Sequence, residues 1–144
     1  MSSNIEIFRK IALAYSAVCR PFCKKIDLPQ TAFDILMFLG NNPAYKTASD
    51  IVDIRYIKAN LVSIHVERLV QEGYLIRQPV KGDRRKIELL CTDKAQPVIE
   101  KGRQIQNSFI EKLLANADND MRNTFYRVLH IMEESLDTIL EEEQ

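Results

Sequence analysis

Two groups of residues in this 144-residue chain have the types and spacing to hold a polyanion. The first is the run Lys81-Gly82-Asp83-Arg84-Arg85-Lys86, which separates two strand-like apolar segments. The second is Lys58, Ala59, Asn60, Ser63 and Ile64, on the outward side of a helical pattern whose Val62, Val66 and Leu69 share the opposite side. Arg and Lys neutralise phosphates without reading sequence. Asn60 can pair with an adenine edge, Lys58 can hold a guanine or a phosphate, and Ser63 can bond to either. Ile64 is unusual on a polar face, but it can touch a thymine methyl group. By itself the basic run is equally well read as a solvated hairpin loop, because charged turns are common. Its setting decides between the two.

Chemistry of other kinds is not signalled. The chain has no Gly-rich phosphate loop and no nucleophile–base pairing. Its two histidines, His65 and His130, are not at ligand spacing with each other or with a cysteine. We therefore expect no catalytic residues, no metal and no cofactor, and read the chain as not an enzyme. Cys19, Cys23 and Cys91 are too few and too irregularly spaced for a disulfide framework. Cys19 and Cys23, four apart, share one helix face and read as small buried hydrophobes. Cys91 reads as packing, and His65 as a partly buried helix residue.

The net charge is +0, but its distribution is uneven. From Arg55 to Lys86 there are eight basic residues against three acidic ones. From Asp118 to Gln144 there are eight acidic residues against Arg122 and Arg127. One face can thus be positive while an acidic helix cancels the sum. No apolar stretch approaches the roughly 20 residues of a membrane span, and no signal-peptide pattern opens the chain. A cytoplasmic protein with no membrane partner is expected.

The elements that must position these residues follow from periodicity. Residues 5–25 carry an apolar stripe at helical spacing, with Pro21 predicting a kink or an early end. A second helix starts near Leu28-Pro29-Gln30 and stops at Gly40-Asn41-Asn42-Pro43. Thr47 or Ser49 caps a short third helix, and a turn near Tyr56–Lys58 leads into a fourth from about Lys58 to Glu72. Gly73 ends it. Strands follow at 74–78 and 86–91, with 79–85 as a loop. Thr92 is expected to cap a helix over 94–114, and a last helix runs from about Asp118 to Glu141.

Two short helices joined by a tight turn and followed by a hairpin form a winged helix-turn-helix. One helix fits the major groove and the other braces it. The fold class is therefore mainly α (α+β), a winged helix-turn-helix with a two-stranded wing hairpin and long N- and C-terminal helices.

Ala48-Ser49-Asp50-Ile51-Val52, the helix from Lys58 to Leu69, Glu72-Gly73-Tyr74-Leu75 and the run from Gly82 to Thr92 resemble the multiple-antibiotic-resistance regulator (MarR) family. The family's wing carries Asp-x-Arg, alternating hydrophobics and then Leu-x-Thr, here Asp83-Arg84-Arg85 and Leu90-Cys91-Thr92. The resemblance covers essentially the whole chain. It implies one MarR-like domain over 1–144, with a DNA-binding lobe at 28–93 and a helical dimerisation lobe at 1–27 and 94–144. It implies a homodimer on a pseudo-palindromic double-stranded DNA operator, usually a repressor released by a small aromatic ligand or an oxidant. Carried over, Arg85 enters the minor groove, Asp83 orients it, and Arg84 and Lys86 meet phosphates; Lys81 is counted with them among the DNA-binding residues. Position 55 departs from a common pattern: Arg55 stands where many relatives have Leu, and it either adds a phosphate contact or alters the turn. Two other readings are a winged-helix protein-interaction module docking through the acidic tail, and a peroxide-sensing repressor acting through Cys19 or Cys23.

Overall fold

The computed structural model describes residues 4–143. The chain divides into two compact units, residues 1–109 and 110–144. Its elements are α1 (Asn4–Lys25), α2 (Gln30–Asn41), α3 (Ala48–Arg55), α4 (Ala59–Gln71), β1 (Leu75–Val80), β2 (Asp83–Cys91), α5 (Ala95–Leu113) and α6 (Asn119–Glu142).

In the first unit α2 is the central post. Seven consecutive or near-consecutive apolar residues, from Ala32 to Leu39, are buried, so the helix is covered on nearly every side. The exception within that run is Asp34. Packed around α2 are Ile51 of α3, Val62, Val66 and Leu69 of α4, Leu75 and Leu89 of the hairpin, and Val98 and Ile99 of α5. A second cluster joins Cys19 and Cys23 of α1 to Phe33 and Met37 of α2. Gly102 of α5 lies so close to Met37 and Phe33 that a Cβ would collide with the Met37 sulfur.

Local chemistry sets the helix ends. Thr47 and Asp50 form a reciprocal capping box, each side chain accepting the other's backbone N–H, which fixes where α3 begins. Tyr56 adopts a left-handed conformation (φ 61°) and turns the chain sharply between α3 and α4. Gly73 (φ 83°) closes α4, where the Tyr74 N–H donates to the Leu69 carbonyl. α1 continues through Pro21 to Lys25, so the expected early end is not found. Its last turn is anchored by buried Cys23, which offsets the hydrogen bond Pro21 cannot make.

The hairpin differs from expectation. The predicted loop at 79–85 shrinks to a two-residue turn, Lys81-Gly82, with Gly82 at φ 90° and Val80 paired to Asp83. Pro79 is paired with Ile87, so one step along β1 is matched by four along β2. Arg84, Arg85 and Lys86 therefore form a bulge in the strand rather than a loop tip. Proline supplies the reason: with no N–H to donate, Pro79 breaks the ladder where the extra residues are accommodated. Thr92 also departs from its expected role. Its hydroxyl donates to the carbonyls of Gly73 (2.6 Å) and Tyr74 (3.2 Å), tying the hairpin's exit to its entrance instead of capping α5.

In the second unit Asp118 caps α6 by accepting the Met121 N–H at 2.9 Å. Arg122 fixes the preceding turn through the carbonyls of Leu114 and Ala117 and the Glu111 carboxylate. Among the described residues, none of α6 is buried.

Candidate nucleic-acid interface

α4 presents its outward side as the sequence predicts. Val62, Val66 and Leu69 are buried, while Lys58, Ala59, Asn60, Ser63 and Ile64 are exposed, Ile64 at 61%. Lys58 is the N-cap residue, with no side-chain hydrogen bond holding it to the helix. It stands where α4 begins, the end that a recognition helix leads into a groove.

Arg84, Arg85 and Lys86 of the bulge are all exposed, and Arg85 and Lys86 lie beside the start of α3. A cleft of about 440 Å³ is bordered by Thr47 and Ser49 on one side and by Asp83, Arg85 and Lys86 on the other. Asp83 shapes this arrangement: its Oδ1 accepts the backbone N–H of Arg85 at 3.0 Å, an Asx turn that fixes the chain at the bulge. Asp83 thus acts on the backbone of Arg85. The hairpin base is held from below, where the Leu89 N–H donates to the Lys46 carbonyl at 2.6 Å. Lys86 also lies in the field of Asp50. Desolvation alone would raise the Asp50 pKa, but hydrogen bonds from Thr47 and Lys46, with Lys86, outweigh it and hold the carboxyl below its ordinary range.

The basic residues between 55 and 86 separate into two sets. Arg77 is spent on Glu67 (2.8 Å), Arg68 on Glu72 (2.9 Å) and the Asp27 carbonyl (2.6 Å), and Arg55 on Asp34 (3.6 Å). Lys58, Lys81, Arg84, Arg85 and Lys86 make no ion pair within 4.0 Å among the described residues. The five unpaired cations lie at the start of α4 and along the wing.

Sequence reasoning missed Asp34. A single carboxylate inside the apolar run Phe33-Asp34-Ile35-Leu36 was the available signal. It lines a cavity of about 240 Å³ with Tyr15, Phe38, Arg55 and Gln106. The Gln106 amide donates to the Tyr15 hydroxyl at 2.9 Å. Burial pushes the Asp34 carboxyl up to about 6, against the opposing pull of Arg55 and a hydrogen bond from Gln30. A raised folded-state pKa stabilises the fold below the unfolded value of 3.8, and this contribution is lost as pH rises through about 6. Asp34→Asn should therefore raise stability at pH 7.5 by up to about 3 kcal/mol, and the gain should vanish near pH 4. Urea denaturation at the two pH values measures both.

Cys19 and Cys23 are buried, as expected of packing residues. Burial raises both thiols, Cys23 to about 11, and Cys91 also shifts upward. Neither α1 thiol has the exposure and lowered pKa of a peroxide-reactive cysteine. His65 is partly buried, with Nδ1 lacking a partner, and burial together with Arg68 lowers its pKa.

A helix pair joined by a left-handed turn, followed by a hairpin with a bulged cationic strand, defines a winged helix-turn-helix. Residues 26–86 match the model of the MarR family. The HTH-type transcriptional regulator PecS of Dickeya dadantii (strain 3937) is 33% identical over 99 residues, which is 67% of this chain and 60% of PecS. The chain's match thus spans less than two thirds of that relative's length. Among solved structures, a MarR protein from Peptoclostridium difficile DA00132 superposes with a TM-score of 0.85 at 19% identity, covering 100% of this chain and 94% of that one. A MarR family transcriptional regulator from Listeria monocytogenes complexed with 26mer DNA gives 0.83 at 19% identity, covering 94% and 90%. At such identities the structures speak for the fold. The sequence matches place residues 26–86 in the MarR family.

Proposed function

We propose that the protein is a sequence-specific, DNA-binding transcription regulator, acting in the cytoplasm as a homodimeric repressor. The observation that carries this reading is the partition of the cations: three are committed to internal pairs, and five, at the start of α4 and on the wing, make no ion pair within 4.0 Å among the described residues. Free cations concentrated on one recognition element are what phosphate neutralisation requires. Residues 28–93 form the DNA-binding lobe, and residues 1–27 and 94–144 form the dimerisation lobe.

On the operator, α4 enters the major groove. Asn60 reads adenine, Lys58 and Ser63 contact bases or phosphates, Ala59 allows close approach, and Ile64 meets a thymine methyl group. Arg85 enters the adjacent minor groove from a backbone set by Asp83, with Lys81, Arg84 and Lys86 on flanking phosphates. A small aromatic ligand releases the repressor. The Tyr15–Phe38 cavity, with Arg55 and Asp34 on its wall, has the mixed apolar and polar lining such a ligand needs.

A second copy of the chain is the dimer partner. Ile5, Phe8 and Leu13 on α1 and Phe125, Leu129, Leu136 and Ile139 on α6 are between 36% and 72% exposed. Exposed apolar residues in this number mark an association surface on each of the two helices. The experiment that tests the reading is recovery of bound duplexes from a fragmented-genome pool, because a recovered palindrome gives both the sequence and the half-site spacing.

A further inference from the structure

We propose that Asp34 is a positioning residue that withholds Arg55 from DNA, so that acidification frees one more phosphate-binding cation per protomer. The inference rests on the DNA-binding reading and adds regulation to it.

Asp34 sits on α2 with its side chain 16% exposed, whereas the Arg55 side chain is 46% exposed and only its tip reaches the carboxylate. The partners are therefore unequal. The carboxylate is fixed in the wall of its cavity, and the guanidinium hangs on a long stem that can swing. Arg55 is the last residue of α3, and the next residue, Tyr56, makes the left-handed turn into α4. Two residues separate it from Lys58, the cation at the start of α4. An arginine released from Asp34 is thus anchored at the corner of the helix-turn-helix. With Asp34 ionised, two anions compete for Arg55, and the one already in place is intramolecular. With Asp34 protonated, only the phosphates remain.

Among the described residues, Arg55 is the one charged partner of Asp34. From α1, Tyr15, Cys19 and Cys23 face it, and burial raises all three, so they are neutral through the acid and neutral range. From α2 itself Gln30 donates a hydrogen bond. α5 brings the uncharged Gln106 to the cavity. α4 carries Arg68, already committed to Glu72 and Asp27, and His65, whose pKa is lowered. β2 joins the core through the apolar Leu89. The carboxyl titrates near pH 6, so the switch lies between about pH 5 and 7.

The test is fluorescence anisotropy of a labelled duplex across a salt series at pH 7.5 and pH 5.5, using the full chain, Asp34→Asn and Arg55→Gln. The slope of log K against log salt reports the phosphates neutralised. For the wild type it should steepen by about 0.9 per protomer between pH 7.5 and 5.5. Asp34→Asn should show the steeper slope at both pH values, and Arg55→Gln the shallower slope at both. Histidine protonation is common to all three proteins and cancels in the comparison. A wild-type slope unchanged between the two pH values, or one that steepens equally in Arg55→Gln, overturns the latch and leaves the DNA-binding reading standing. No binding by the wild type at either pH overturns both.

Discussion

Arg85→Ala should weaken binding to the protein's own operator about ten- to hundredfold while leaving thermal stability almost unchanged. The side chain is exposed and makes no ion pair or side-chain hydrogen bond among the described residues, so its removal costs the fold nothing specific. What Asp83 holds is the Arg85 backbone N–H, which alanine retains. The bulge should therefore survive the substitution and the loss should fall on DNA alone. In the proposed dimer two such arginines would act, so the effect would be counted twice. Anisotropy titration with parallel thermal melting separates the alternatives. Unchanged affinity would remove Arg85 from the interface. A large fall in melting temperature would mean that the side chain has a structural role the geometry does not show.

The second large effect is expected from the C-terminal helix. Replacing Leu136 and Ile139 together by glutamate should convert the protein from dimer to monomer and lower operator affinity at least a hundredfold, because a lone protomer reaches only one half-site. Both residues are 52% exposed on a helix with no buried residue, and Glu133, Glu134 and Glu141–Glu143 already surround them with negative charge. Two further carboxylates on that face would meet like charge and lose their apolar burial against a second copy. Sedimentation equilibrium of both proteins gives the answer. A wild type that is monomeric at micromolar concentration, or a double variant that remains dimeric, would show that α6 is not the association surface.

Much of this was legible in the residues because it depends on local pattern. The burial of Val62, Val66 and Leu69 and the exposure of Lys58, Asn60 and Ser63 follow from 3.6-residue periodicity alone. The cap of α3, at Thr47 of the two candidates Thr47 and Ser49, and the stop at Gly73 follow from chemistry within four residues. The wing was seen less clearly. Charge and a glycine announced a turn, and the six residues around it read as a loop. The pairing of Val80 with Asp83 across a bulge depends on how Pro79 interrupts the ladder, and that is decided between strands. The apolar stripe of α1 was visible throughout, yet only Cys19 and Cys23 are buried in the chain itself. Periodicity shows which face is apolar and does not show whether the same chain covers it. Asp34 and Arg55 lie 21 positions apart, and their pairing appears only when α2 and α3 are packed together.

The most direct test of the central claim is selection of bound fragments from genomic DNA by the purified wild-type protein. The account predicts recovery of a pseudo-palindrome whose half-sites are separated by one helical turn, about 10 base pairs, or a multiple of it, with affinity that falls steeply as salt is raised. Recovery of no common sequence, together with no retention of duplex at low salt, would contradict it.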